Sequence, residues 1–261
     1  MIVDDIDQPY RDSWAMQSRL FGRLPLLECA TPVPCFGRWD TARIATAGMN
    51  PSKREFLDER GRELETDERR FLHRRNSAAD CTDDEVADAR RLAEGYFELG
   101  NDYWEWFNAF KPLLDELGLS FAEGDACHTD YVSPFATTSG IGGFASNLAQ
   151  ALARDHGGIE IWQRILAVMP HLQMVVGFGA AWRDMPRIWG FTRWREIKTE
   201  FDQNGGNSRI SKPYLLHQLI NCGSREIDLF WWKPYWSIPL TWLNESEKRE
   251  LAKIVVTNAK S

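Results

Sequence analysis

The chain has 261 residues, of which 43% are hydrophobic, so it can bury the core of one large domain or two small ones. Its formal net charge of −7 disfavours a generally basic surface for nucleic acid, because phosphate binding depends on Lys and Arg. No run of apolar residues is long enough to span a bilayer, so we expect a cytoplasmic protein without a membrane partner.

The five cysteines contain no Cys-x-x-Cys pair, and their odd number is unlike a disulfide framework. The acidic residues and histidines show no spacing that is typical of metal ligands. We therefore expect reduced thiols, no metal and no cofactor.

Short apolar runs typical of strands alternate along the chain with the longer periodicity of helices. The predicted strands cover residues 43–47, 127–133, 173–178 and 213–220. Ser52 and Glu55 form a capping-box pattern that predicts a helix from about residue 53. Further helices are predicted over 83–117, 144–155, 159–169 and 245–256. This order predicts an α/β fold, a three-layer α/β/α sandwich with a central, mostly parallel four-stranded sheet. We expect a single, monomeric domain over 1–261 with a helical insertion at about 57–118.

Positive charge is concentrated in two runs. Residues 69–75 hold four arginines and no acid, and residues 182–198 hold five basic residues against two acids. Each run is either a strip that faces phosphate or a solvated basic helix face.

The first predicted strand ends abruptly in Gly-Met-Asn-Pro-Ser at 48–52. Because ligands of open α/β sheets bind beyond the carboxyl ends of the strands, this turn places the polar side chain of Asn50 at a binding edge. The alternative is that Asn50 is a turn residue whose side chain bonds its own backbone.

The Gly-Met-Asn-Pro-Ser sequence resembles the first motif of the uracil-DNA glycosylase superfamily, in the branches that carry Gly-(Met/Ile)-Asn-Pro. The resemblance continues through His-Thr-Asp-Tyr-Val-Ser-Pro at 128–134 and Val-Val-Gly-Phe-Gly at 175–179, and order and spacing match over about 40–225. It implies a uracil-DNA glycosylase-like fold and a monofunctional DNA glycosylase, which flips a base out of DNA, hydrolyses its N-glycosidic bond and leaves an abasic site.

By the same resemblance, Asn50 positions the attacking water and main-chain groups near Met49 contact the base. An amide is a poor general base, so such a site relies on orientation and electrostatics. Phe56 is the candidate for stacking on the flipped base, with Tyr131 or Phe135 as alternatives; a core position is the other reading of Phe56.

Asp130 occupies the position where the family usually has an Asn that reads the edge of uracil. A carboxylate accepts hydrogen bonds and does not donate them, so it suits the exocyclic amino group of cytosine. We therefore expect a cytosine-type base, modified or unmodified at carbon 5. A shift of one residue would align Tyr131 instead, and a structural Asp that caps the next turn is the other alternative.

The family's last motif, His-Pro-Ser after the fourth strand, is missing here. His217, or Asn221 together with Ser224, would take its place, although a buried and satisfied histidine is the commoner fate of a lone His. This departure puts uracil specificity further in doubt. The residues predicted to contact DNA are Ser52, Lys53, Arg54, Ser139, Arg183, Arg187 and Ser224.

The run at 229–236 contains five aromatic residues, which suit the core, a lid, or stacking on unpaired nucleotides. Other functions also remain: a uracil-excising repair enzyme, a non-catalytic reader of modified DNA, and a nucleoside hydrolase that needs no DNA-binding strip. Within the glycosylase hypothesis, host repair and an antiviral role on modified phage DNA are both open.

Overall fold

A computed structural model describes residues 6–75, 80–98, 104–141, 147–178, 185–198, 214–233 and 243–259. Its strands are β1 (Cys35–Phe36), β2 (Ile44–Gly48), β3 (Ala126–Asp130), β4 (Met174–Phe178), β5 (Arg195–Lys198), β6 (Tyr214–Cys222) and β7 (Arg225–Lys233). Its helices are α1 (Asp7–Leu20), α2 (Asp83–Glu94), α3 (Trp104–Asn108), α4 (Lys111–Leu117), α5 (Asn147–Gln150), α6 (Gly158–Val168), α7 (Met185–Trp189) and α8 (Glu245–Asn258).

The strands form one mixed, seven-stranded sheet in the order β1-β3-β2-β4-β7-β6-β5, curled into a half-barrel. The central strands β3, β2, β4 and β7 are parallel, whereas β1, β6 and β5 join them by antiparallel pairing. The predicted three-layer sandwich around a four-stranded, mostly parallel sheet is therefore wrong.

Strands β1 and β5 were not predicted, and the fourth predicted strand was misplaced. The segment predicted at 213–220 is β6, which runs antiparallel to β7 and turns back on it at Gly223 and Ser224. The fourth parallel strand is β7, formed by the first part of the aromatic run 229–236; positions 234–236 lie outside the described residues. Leu229, Phe230, Trp231 and Trp232 are all buried, as expected for a strand that is covered on both faces.

The other predicted strands agree with β2, β3 and β4 to within a few residues. The helix predicted from about residue 53 is instead a single 3-10 turn, Lys53–Glu55. The predicted helix at 83–117 is divided into α2, α3 and α4, and it ends where expected, at Gly118, which adopts a left-handed conformation with φ of 65°.

Two apolar clusters cover the two faces of the sheet. Because side chains alternate along a strand, Ile44 lies in one cluster and its neighbour Ala45 in the other, and Phe230 and Trp231 are divided in the same way. Among the described residues, no helix combines the length and apolar character needed to cross a membrane.

Candidate functional site

A cavity of about 370 Å³ lies beyond the carboxyl ends of β2, β3 and β4. Its polar walls include Asn50, Glu55, His128 and Asp130, and its aromatic walls are Phe36, Trp106, Phe107 and Phe178. The edge of the sheet where the sequence placed Asn50 is therefore the mouth of a cavity, and the insertion supplies part of its wall through α3.

Gly48 allows β2 and β3 to bring their polar residues together. It pairs with Asp130 in the parallel ladder. A Cβ at position 48 would lie 2.6 Å from Asp130 Oδ1 and 2.9 Å from His128 Nε2. Only a glycine leaves room for both side chains.

Gly48→Ala is expected to lower stability by about 1–3 kcal/mol, because the added methyl group overpacks a buried site, and to displace Asp130. Thermal unfolding and ligand binding would measure both effects. Gly140→Ala is the matched control, since Gly140 also lines the cavity but has open space where its Cβ would be. Equal unfolding temperatures for the two variants would contradict the prediction.

The side chain of Asn50 is oriented by hydrogen bonds from its amide nitrogen. Its Nδ2 donates to the carbonyl oxygens of Pro51, at 2.9 Å, and Phe135, at 3.3 Å. Both amide hydrogens are thereby used, so the acceptor Oδ1 is what the side chain has to offer a bound molecule. The contact with Pro51 matches the turn-residue alternative, and the same contact also orients the amide.

Asp130 is buried, and its Oδ2 has no hydrogen-bond partner among the described residues. Its Oδ1 lies 3.5 Å from His128 Nε2. Burial raises the pKa of Asp130, and the hydrogen bond and charge of His128 only partly oppose that shift. A buried carboxyl oxygen that lacks a hydrogen bond is costly, so a ligand that offers a donor or a basic nitrogen to Oδ2 would be favoured there.

His128 was not among the predicted site residues. Its Nδ1 lies 2.7 Å from Thr46 Oγ1, and that hydroxyl donates to the Cys127 carbonyl. The hydroxyl then accepts from Nδ1–H, which leaves Nε2 to face Asp130. The two groups are thus arranged to share a proton.

Glu55 is the second residue that sequence reasoning missed, because it was interpreted as the partner of Ser52 in a capping box. The Ser52 hydroxyl accepts instead from the Arg54 backbone, and Glu55 is buried in the cavity wall. Tyr96 donates to its Oε1 at 2.8 Å, and Arg70 donates to its Oε2 at 3.3 Å. Burial raises the pKa of Glu55 to about 7, against the opposing effects of Tyr96 and Arg70.

This raised pKa predicts a pH-dependent stability. Between its ordinary value of 4.5 and about 7, folded Glu55 keeps a proton that the unfolded chain has lost. The free energy of unfolding should therefore fall as pH rises through this window, by at most about 1.4 kcal/mol per pH unit. Glu55→Gln should flatten the dependence in urea unfolding at several pH values, whereas the exposed control Glu116→Gln should keep the wild-type slope. Parallel curves for Glu55→Gln and wild type would refute the assignment.

The predicted stacking residues are core residues. Phe56, Tyr131 and Phe135 are each 0% exposed, and none of them lines the cavity. Phe56 packs against Phe71 and His73, because the chain turns inward after Glu55. The aromatic surface of the cavity comes from other residues, among them Trp106 and Phe178, whose rings lie 5.1 Å apart.

Met49 lies in the cavity wall, and its carbonyl accepts hydrogen bonds from the backbone of Val132 and Ser133. The predicted main-chain contact region is therefore at the cavity, although this carbonyl is already engaged in tying β2 to the segment after β3.

The structure separates the candidates for the last motif from the cavity. His217 lies in β6, which is separated from β4 by β7, and its Nε2 is 2.6 Å from Asp228 Oδ1. Asn221 and Ser224 are at the opposite edge of the sheet, because β6 is antiparallel to the strands that carry the site. His217 is thus a buried, satisfied histidine, and these three assignments depended on the misplaced fourth strand.

Only some of the residues predicted to contact DNA lie at the cavity. Ser52, Lys53 and Arg54 line the cavity, and Ser139 is exposed between two lining residues. Arg183 lies outside the described residues; Arg187 is in α7, but its side chain is outside the described part.

The basic run at 69–75 is largely engaged inside the protein. Arg70 contacts Glu55, Arg69 donates to the Leu64 carbonyl, and Arg74 is buried over the ring of Trp14. A continuous phosphate-facing strip is therefore not formed by these side chains.

Scans against models of protein families, curated proteins and solved structures found no match for this chain.

Proposed function

We propose that this protein is a DNA glycosylase related to the uracil-DNA glycosylase superfamily, and that it hydrolyses the N-glycosidic bond of a flipped-out cytosine-type base. The observation that carries the proposal is the meeting of two groups in one cavity. Asn50 Oδ1 can accept a hydrogen bond from a water, and one oxygen of the buried Asp130 carboxyl has no partner within the described ranges.

Recognition of cytosine follows from the chemistry of Asp130. The edge of cytosine presents an amino donor at N4 and a basic acceptor at N3. A protonated carboxyl accepts a hydrogen bond from the N4 amino group with one oxygen and donates one to N3 with the other. Burial, which raises the pKa of Asp130, favours that protonated form. The rings of Trp106 and Phe178 offer a surface on which the base can stack.

The residues of the cavity can divide the hydrolysis among them. A water held by Asn50 Oδ1 attacks the sugar C1′ as the C1′–N1 bond breaks, and the bonding electrons leave with the base. Asp130 transfers its proton to N3, so that the base departs neutral. Glu55, whose pKa of about 7 suits a base near neutral pH, accepts the proton of the water. Exchange with solvent then returns the proton from Glu55 to Asp130.

The size of the cavity favours a modified cytosine. About 370 Å³ falls within the range of roughly 300–1,000 Å³ that holds drug-sized ligands, which exceeds the need of a bare pyrimidine. A substituent at carbon 5 would occupy the remaining space. Such bases occur in foreign DNA, so we propose an antiviral role ahead of the repair of host bases.

The choice between DNA and a free nucleoside is tested by salt dependence. Lys53 and Arg54 are exposed at the cavity wall, where they can contact phosphates beside a flipped nucleotide. The logarithm of the affinity for duplex DNA is expected to fall linearly with log salt, and the double change Lys53→Ala, Arg54→Ala should reduce the slope by about 2.

The matched control is Lys253→Ala, an exposed lysine of α8 that does not line the cavity. Its slope should equal that of the wild type. Salt-independent activity, together with hydrolysis of free nucleosides, would support a nucleoside hydrolase instead. DNA binding without base release would indicate a non-catalytic reader.

A further inference from the structure

A second cluster of chemically reactive side chains lies outside the cavity. Cys29, Glu63 and His73 place a sulfur, a carboxylate oxygen and an imidazole nitrogen within 4.8 Å of one another. These residues are 34 and 10 positions apart, so no short motif in the sequence could reveal them.

Two members of the cluster are buried. Cys29 is 8% exposed and His73 is 6% exposed, and no group in the described part of the chain is a hydrogen-bond partner of the buried Nε2 of His73. Its Nδ1 makes a long contact of 3.4 Å with Glu63 Oε2. One ring nitrogen of His73 makes only this long contact and the other makes none with the described residues, so a nitrogen of this buried ring is available to a metal ion.

The backbone holds the two buried residues in place. Ala30 and His73 form an antiparallel bridge, and the Arg74 amide donates to the Cys29 carbonyl at 2.7 Å. The backbone of Glu63 forms a separate antiparallel bridge with Leu57. The cluster therefore does not depend on three independent, mobile side chains.

We propose that Cys29, Glu63 and His73 bind one Zn²⁺ ion, with a water molecule as the fourth ligand. Sulfur, nitrogen and carboxylate oxygen are the donors that zinc prefers, at about 2.0–2.3 Å in tetrahedral geometry. Binding releases the thiol proton of Cys29 to solvent as the S–Zn bond forms. The exposed side chain of Glu63 can move inward to close the coordination sphere.

The ion would fasten the irregular segment 56–75 to the chain that follows α1. That segment carries Arg70, which contacts Glu55, and it also carries Phe71, which packs on Phe56. The ion would therefore support one wall of the cavity without touching a bound base. This inference does not depend on the proposed glycosylase activity.

The test uses the full-length protein, stripped with a chelator and titrated with Co²⁺, which reports its ligands by absorption. We expect about one Co²⁺ per chain, with the visible bands of a tetrahedral ion, a near-ultraviolet thiolate-to-cobalt band, and displacement by Zn²⁺. Cys29→Ser should abolish the thiolate band, and His73→Gln should weaken binding at least tenfold. Cys81→Ser, at a half-buried cysteine outside the cluster, should match the wild type.

A wild-type protein that gives no thiolate band would overturn the proposal without reference to any variant. So would a band that survives in Cys29→Ser, or one that is lost in Cys81→Ser. Circular dichroism of each chelator-stripped variant separates loss of a ligand from loss of the fold. Zinc should also raise the thermal unfolding temperature of the wild type, and it should leave that of folded Cys29→Ser unchanged.

Discussion

Asn50→Ala is expected to lower the rate of base release by about 10²- to 10³-fold, while the affinity for duplex DNA stays within about twofold. The side chain holds the attacking water through Oδ1, and its amide is oriented by the carbonyls of Pro51 and Phe135. Alanine removes the acceptor that positions the water, but it removes no charge that contacts phosphate. Single-turnover release of the free base would measure the effect.

The control for this variant is Asn147→Ala, the same substitution at an exposed position at the start of α5. It should release base at the wild-type rate. Full activity in Asn50→Ala would show that the water is held elsewhere, and a loss of DNA affinity equal to the loss of rate would show that Asn50 acts in binding.

Asp130→Asn is expected to reverse the base preference. Release of a cytosine-type base should fall by about 10²- to 10⁴-fold, because an amide has no proton to transfer to N3. Release of uracil should rise, since an amide can both donate to O4 and accept from N3–H. Competition between oligonucleotides that differ in one base would measure the change.

The pH profile distinguishes proton transfer from simple contact. Activity that depends on protonated Asp130 falls as pH rises through the raised pKa of this carboxyl, because the ionised form has no proton to give. Asp130→Asn should lose that limb of the profile, and the exposed control Asp115→Asn should retain it. An Asp130→Asn variant with unchanged preference and profile would assign Asp130 a structural role.

The strands that position Asn50 and Asp130 were predictable because their local signals were unambiguous. A short apolar run ends at Gly48 in a turn, and the ladder then pairs Gly48 with Asp130. Parallel strands present their carboxyl ends at one edge, so the meeting of these two residues follows from the topology.

The prediction of the fourth parallel strand was wrong because apolar periodicity does not distinguish a parallel strand from an antiparallel one. The sequence did contain the missing signal. Gly223 and Ser224 separate two nine-residue strands, and such a Gly-Ser pair is typical of a β-hairpin. Interpreting it as a hairpin would have moved the fourth parallel strand to β7 and removed Asn221 and Ser224 from the site.

Glu55 was missed for a different reason. Its spacing from Ser52 matched a helix cap, which is a local pattern, whereas its burial depends on Tyr96 and Arg70, which are 41 and 15 residues away. No local pattern reveals a partner at that distance. The same limit concealed the cluster of Cys29, Glu63 and His73.

The central claim is that this cavity removes a cytosine-type base from DNA. The direct measurement is mass spectrometry of small molecules released from duplex oligonucleotides that carry one cytosine, one carbon-5-modified cytosine or one uracil, with the strand assayed for abasic sites. We predict a free cytosine-type base and an equal amount of abasic site, both lost in Asn50→Ala. Release of uracil alone, or of no base from any duplex that the protein binds, would contradict the account.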